Sequence, residues 1–94
     1  MNELQIFNFE DNEVRTQVIN DEPWFVGKDV SDVLGYSETN AMTRRLNDDD
    51  FMSVKLSGMN MKSILINESG LYAAVMGSKL DSAKKFQRWV TKDV

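Results

Sequence analysis

The first third of the chain consists of short runs of β-branched and aromatic residues that are broken by polar segments. Residues 4–9 (LQIFNF) and 13–19 (EVRTQVI) are two such runs, separated by three polar residues, and this arrangement predicts a β-hairpin. A third run, residues 24–26 (WFV), follows Pro23. Because proline lacks the N–H that a central strand must donate, we expect this third strand to lie at the edge of a sheet.

Helical spacing of the apolar residues begins after Gly27. Val30, Val33 and Leu34 fall at positions i, i+3 and i+4, so they share one face of a helix of about two turns. Gly35 follows at the point where a helix end favours a left-handed residue. The pattern therefore predicts a short amphipathic helix that ends at a tight turn.

A second helix is predicted directly after this turn, with Ser37 or Thr39 as its N-cap. Met42 and Leu46 would share its buried face. This helix-turn-helix-like spacing would let Asn and Arg side chains on the opposite face hydrogen-bond to base edges in the major groove. The residues predicted to read bases are Asn40, Thr43, Arg44 and Arg45. The alternative is a plain pair of packed helices whose arginines are neutralised by the acidic run at residues 48–50.

Two further strands are predicted in the middle of the chain. Residues 51–56 (FMSVKL) and 61–66 (MKSILI) alternate as strands do and are joined by a Ser-Gly-Met-Asn segment, which predicts a second hairpin. Lys55 and Lys62 flank the tip of this hairpin. They would act either as a wing that contacts phosphates or as charges that protect an exposed strand edge.

The last third of the chain predicts two helices. Asn67 is in the position of the N-cap of the first helix, and Gly77 is in the position of its end. Residues 78–81 (SKLD) have the form of a capping box for the second helix, with Asp81 where Glu is usual. Both helices would pack on the core through apolar faces.

The final helix carries a row of cations, which we name the basic stripe. Its members fall within an arc of about 100° by helical spacing, and they are Lys84, Lys85, Arg88 and Lys92. Because like charges on one helix face repel each other, the stripe predicts either phosphate contacts, to which Lys79 would add, or pairing with the acidic first half of the chain. Trp89 beside the stripe would stack on a base or, alternatively, serve the core or a dimer contact.

Composition narrows the classes of function. The 94 residues allow one domain with a single core, and they include no cysteine and no histidine, so thiolate and imidazole chemistry is excluded. No apolar run approaches the roughly 20 residues of a membrane span, and the N-terminus is unlike a signal peptide. We therefore expect a cytoplasmic domain without cofactor, metal or catalytic activity. An enzyme in which residues 48–50 hold Mg²⁺ is disfavoured, because consecutive residues on one loop rarely converge on one ion.

Charge is unevenly distributed along the chain. The formal net charge is -4, but residues 1–50 carry four Lys and Arg against twelve Asp and Glu, whereas residues 51–94 carry seven against three. The two halves therefore have net charges of -8 and +4. This asymmetry leaves room for one basic surface on an otherwise acidic domain.

Three blocks of the sequence resemble the signature blocks of one family. Residues 23–36 (PWFVGKDVSDVLGY), 66–72 (INESGLY) and 78–94 (SKLDSAKKFQRWVTKDV) are similar, in order and spacing, to blocks of the BRO-N domain of phage antirepressors and of the BRO proteins of large DNA viruses. Gly27 stands where alanine is common in that family, and Asp81-Ser82 stands where Pro-Glu is frequent. The resemblance covers nearly the whole chain.

The resemblance implies a small α+β domain that binds DNA and is fused to a variable C-terminal region, in proteins that counter a prophage repressor and favour lytic induction. We therefore predict one BRO-N domain over residues 1–94, with short antiparallel hairpins and about four helices. It would be excised from a longer protein that acts in the cytoplasm of a bacterial host. Its partner would be single- or double-stranded DNA. The alternative is a module that captures a phage repressor or host protein without binding DNA, and either form could be a homodimer.

Overall fold

Five antiparallel strands of the described residues form one sheet. The computed structural model of the chain describes residues 4–55 and 62–93. The strands are β1 (Leu4–Phe9), β2 (Asn12–Ile19), β3 (Glu22–Val26), β4 (Phe51–Lys55) and β5 (Lys62–Ile66). They lie in the sheet in the order β1-β2-β3-β5-β4. The helices of these residues are α1 (Gly27–Leu34), α2 (Thr39–Thr43), α3 (Glu68–Gly77) and α4 (Ser82–Asp93), and a 3₁₀ turn spans Asp48–Asp50. The predicted α+β class is confirmed.

Two-residue turns join the first three strands. Glu10 and Asp11 have φ of 46° and 68°, and Asn20 and Asp21 have φ of 52° and 66°. Two consecutive residues of positive φ are the mark of type I′ turns, whose twist matches that of the strands they join. Both turns are built without glycine, so the four residues occupy a backbone region that L-residues with a Cβ atom adopt at a cost.

Substituting Asp21→Gly is expected to raise the free energy of unfolding by about 0.5–1 kcal/mol. Glycine adopts the positive φ of this position without steric cost, and the change creates an Asn-Gly pair, the sequence most favoured in type I′ turns. Urea denaturation followed by circular dichroism measures the change. Asp21→Ala serves as the contrast and should destabilise, and a glycine variant that is less stable than the parent would contradict the assignment of the turn.

The prediction that the third strand lies at an edge is wrong, because β3 pairs with β2 on one side and with β5 on the other. Pro23 is nevertheless accommodated. It lies opposite Val18, one pair away from the pair that closes the turn, so its missing N–H would point away from β2. On that side β5 pairs with Phe25 and Val26 and does not reach Pro23.

The helices cover one face of the sheet. Residues from four strands and from all four helices form one buried cluster, whose largest fully buried members are Phe25, Phe86, Leu34, Met42, Ile66 and Leu71. On the other face, Val26 and Leu65 are buried by half-buried side chains of neighbouring strands, among them Trp24 and Met52. The main core therefore lies between the sheet and the helices.

Asp29 ties the start of α1 to β2. β2 pairs with β3 only as far as Thr16 and Phe25, which leaves the backbone N–H of Arg15 without a strand partner on that side. The Asp29 carboxylate accepts from this N–H (2.9 Å) and from two guanidinium nitrogens of Arg15 (2.9 and 3.0 Å). The hydrogen bond to Asp29 raises the pKa of Arg15. The carboxylate thus completes the sheet where the chain leaves it for the helix.

Candidate nucleic-acid interface

α4 packs on the domain through one apolar face, and this fixes the direction of the basic stripe. Ala83, Phe86 and Val90 are buried at the spacings of three and four residues that place them on one helix face. α4 contacts α3 and α1 through the main core. The four members of the basic stripe lie outside the apolar face, and all four are exposed. The predicted amphipathic helix is therefore confirmed.

Trp89 packs within the domain. Its ring stacks on Phe86 at a centroid distance of 5.6 Å with an interplanar angle of 24°, and it lies 5.4 Å from the ring of Phe9. Phe7 meets the same indole edge-on at 6.2 Å. Such aromatic contacts add about 0.5–1.5 kcal/mol each beyond buried area. Trp89 is therefore a half-buried residue that packs against the core, in agreement with the alternative to base stacking, and it anchors α4 to β1.

Three members of the basic stripe, Lys84, Arg88 and Lys92, line a shallow groove of about 330 Å³ along α4, with Gln87 and Thr91 between them. None of the ion pairs found within residues 4–55 and 62–93 includes a member of the stripe. Lys84 and Lys92 are about 12 Å apart along the helix axis, at 1.5 Å per residue. The groove therefore offers donors from cationic and neutral side chains along about two turns of helix.

The capping box predicted before α4 is not formed. The backbone N–H of Ser78, which Asp81 was expected to bind, donates to the carbonyl of Val75 at 3.1 Å. The Ser78 hydroxyl donates to the carbonyl of Leu34 at 2.7 Å and accepts from the N–H of Leu80 at 3.2 Å. α4 then begins at Ser82. Ser78 thus links the ends of α1 and α3 and does not cap α4.

Arg45 and Lys79 come together across a cleft between the turn after α1 and the turn after α3. The cleft has a volume of about 260 Å³ and includes no Asp or Glu among its lining residues. Tyr36 donates to the carbonyl of Ala74 at 2.7 Å. Burial raises the pKa of this phenol above its ordinary value, and the charge of Arg45 offsets only part of that rise. The cleft therefore joins a predicted base-reading residue to a predicted phosphate contact.

α2 is a five-residue helix, about 7.5 Å long. Its N-cap residue is Glu38, without a side-chain capping bond, so the predicted capping by Ser37 or Thr39 is wrong. Met42 is buried and Leu46 packs against the core, as predicted. Only Met42 of this predicted face lies on α2, and Leu46 reaches the core from the turn that follows the helix.

The predicted base-reading residues of α2 differ in their exposure. Asn40 and Arg44 are exposed, whereas Thr43 is half-buried and donates to the carbonyl of Asn40 at 3.3 Å. Arg44 lies 3.6 Å from Glu38, and both side chains are largely exposed, so this pair is weak. The predicted neutralisation of Arg44 by Asp48–Asp50 is replaced by this contact with Glu38.

Lys55 and Lys62 lie directly opposite each other on β4 and β5. The predicted second hairpin is confirmed in its strands, and its predicted turn at 57–60 lies outside the described residues. Both lysines are exposed. Like charges in directly opposite positions destabilise a sheet, so this pair has a cost in the isolated domain.

Within residues 4–55 and 62–93, no group of three or more His, Cys, Asp and Glu side chains is placed to hold a metal ion. The acidic turn Asp48–Asp50 has a structural contact instead, because Asp50 is buried and accepts from the Ser69 hydroxyl at 3.4 Å. In the same described residues, each helix is too short or too polar to cross a membrane.

Comparison with the sequence models of known protein families shows the family of this chain. The sequence model of the BRO family, N-terminal domain (Bro-N), matches residues 13–94. The chain belongs to the BRO family. A Bro-N domain-containing protein of Invertebrate iridescent virus 6, 201R, is 28% identical over 110 aligned residues, which cover 93% of this chain and 26% of the viral protein. The chain thus spans about a quarter of the length of that relative. No solved structure matches the present chain.

The matched region of this Bro-N domain includes the basic stripe, the cleft and α2. β1 precedes the match, although its Phe7 and Phe9 support Trp89. Gln87 and Thr91, which line the groove, were not predicted as contacts. Their spacing of three residues from Lys84 and Arg88 is the signal that could have indicated them, because such residues are neighbours on a helix.

Proposed function

We propose that this Bro-N domain binds DNA through the basic stripe, and that it is the DNA-binding N-terminal part of a phage or prophage antirepressor that acts in the lysis/lysogeny switch in the bacterial cytoplasm. The observation that supports DNA binding is the group of four exposed cations on α4 without an ion-pair partner in the described residues. The antirepressor role rests on the family resemblance. Catalysis is not part of the proposal.

Phosphates are the partner that suits the basic stripe best. Four cations on one helix face repel each other, and an external array of negative charge relieves that repulsion. Duplex DNA carries one charge per about 1.7 Å of its axis, so the 12 Å between Lys84 and Lys92 corresponds to about seven phosphates. The core contacts of Phe86 and Trp89 hold the helix in place and reduce the ordering cost of binding.

A protein-interaction module is the second candidate, and the charge distribution supports it. The net charge of -8 on residues 1–50 suits the basic DNA-binding surface of a repressor. In that case the acidic half would be the contact surface, and the basic stripe would be dispensable.

The two candidates are separated by titrating a fluorescein-labelled 20-base-pair duplex and a 20-nucleotide single strand with the domain at low salt, followed by anisotropy. Saturable binding of either DNA form in the micromolar range is the expected result, since nonspecific DNA contacts give dissociation constants of about 10⁻⁴–10⁻⁶ M even at physiological salt. Absence of binding to both forms at 50 mM salt would reject the DNA-binding function and favour the interaction module.

A further inference from the structure

A second group of cations surrounds a cavity away from the basic stripe. The cavity, of about 230 Å³, lies between the first turn of α1 and the starts of β5 and α2. Its polar lining residues are Arg15, Lys28, Thr39, Lys62 and Ser63, and no Asp or Glu lines it. Three cations and two hydroxyl groups therefore face one space that is large enough for a phosphodiester group.

Lysines carry the available charge of this cavity. Arg15 is engaged by Asp29. Lys28 lies 3.4 Å from Asp32, but the two side chains are 72% and 61% exposed, so the contact holds the ammonium group weakly. Lys62 has no ion-pair partner among the described residues.

Strand-edge protection explains the two lysines on strands and leaves Lys28 unexplained. β4 is an edge strand of the sheet, and β5 pairs with β3 only through Leu65 and Ile66, so Lys55 and Lys62 both lie beside a strand edge, where a charged residue is a common device. Lys28 lies on a helix and protects no edge. Lys55 directly opposite Lys62 adds repulsion that an anion would relieve.

We infer that Lys28, Lys55 and Lys62 form a second phosphate-contact site, which we name the hairpin site, for the backbone of the DNA that the domain binds. This inference rests on the proposed DNA-binding function. Thr39 in the cavity lining directly precedes Asn40, a candidate base reader on α2. A phosphate held at the hairpin site would therefore bring the DNA backbone next to α2.

The test compares three double variants that each lower the net charge by two. They are Lys28→Gln/Lys62→Gln for the hairpin site, Lys84→Gln/Arg88→Gln for the basic stripe, and Gln5→Glu/Asn20→Asp as the control on exposed positions of the sheet and its turn. Affinity for the 20-base-pair duplex is measured by anisotropy between 50 and 300 mM salt. A melting curve for each variant verifies that it is folded.

In the hairpin-site variant the negative slope of log affinity against log salt is expected to become shallower by about 1.8, which is about 0.9 for each lost phosphate contact. The affinity should fall at the same time. The control should change the slope by less than about 0.4 and the affinity by less than about threefold. An unchanged slope in the hairpin-site variant, with a reduced slope in the basic-stripe variant, would overturn this inference and leave the proposed function intact. Failure of the parent domain to bind DNA would overturn both.

Discussion

Neutralising two members of the basic stripe, Lys84→Gln/Arg88→Gln, is expected to weaken binding to duplex DNA roughly 60-fold at 0.1 M salt. Each phosphate contact releases about 0.9 counterion, so each lost contact costs about 0.9 of a decade in affinity at 0.1 M relative to 1 M salt. Both side chains are exposed on α4, and glutamine is a good helix former. The fold should therefore be unaffected. Anisotropy titration of a 20-base-pair duplex measures the change.

The matched control for this prediction is Gln5→Glu/Asn20→Asp, which lowers the net charge by the same amount on the acidic half. Net charge alone acts over the whole domain and is screened within about 10 Å at 0.1 M salt, so the control should lose less than about threefold in affinity. Equal losses in the two variants would mean that the basic stripe makes no specific phosphate contacts and that only the overall charge matters.

Asp29→Ala is expected to lower the free energy of unfolding by about 2–4 kcal/mol, the largest stability effect that we predict for a surface-proximal residue. Its carboxylate accepts three hydrogen bonds from Arg15, one of them from the backbone, and its side chain is only 12% exposed. The substitution leaves a backbone N–H and a partly buried guanidinium without their acceptor. Urea denaturation measures the loss.

Asp32→Ala is the matched control for Asp29→Ala, because it removes a carboxylate from the same helix one turn later. Asp32 is 61% exposed and meets an exposed Lys28 at 3.4 Å, so its loss should change the free energy of unfolding by less than about 0.5 kcal/mol. Asp29→Asn should lie between the two alanine variants, since an amide oxygen still accepts from the backbone N–H of Arg15. Similar losses at Asp29 and Asp32 would show that the link between α1 and β2 contributes little.

Elements defined by local sequence were predicted well. The left-handed Gly35 at the end of α1 (φ 79°) and the Asn67 cap, whose Oδ1 accepts from the N–H of Gly70 at 2.8 Å, depend on residues within one turn of helix. The strands of both hairpins likewise follow from the alternation of apolar and polar residues within each strand. In these cases the conformation depends on residues that are close in the sequence, so the residue types alone were sufficient to predict it.

Features that depend on distant parts of the chain were not predictable. Pro23 indicated an edge strand, but the offset pairing of β5 with the last two residues of β3 removes the conflict, and no local pattern shows that offset. The capping box failed because the N–H of Ser78 donates to the carbonyl of Val75 at the end of α3, and its hydroxyl donates to the carbonyl of Leu34, which is 44 residues away. The second of these partners is long-range, and the sequence near Ser78 gives no sign of it.

The same distinction applies to the candidate sites. The basic stripe follows from helical spacing within nine residues, and the structure confirms its exposure. The hairpin site needs Lys28 on α1 and Lys62 on β5 to meet at one cavity, which requires the order of strands in the sheet. Sequence reasoning identified Lys62 as a wing contact but had no signal for Lys28.

The salt dependence of duplex binding shows whether the basic stripe contacts DNA phosphates. Anisotropy titrations of the parent and of Lys84→Gln/Arg88→Gln between 50 and 300 mM salt give the two slopes of log affinity against log salt. We predict a parent slope at least as steep as about -3 and a variant slope that is shallower by about 1.8. Parallel slopes, or a parent that does not bind, would mean that the basic stripe is not a DNA-binding surface.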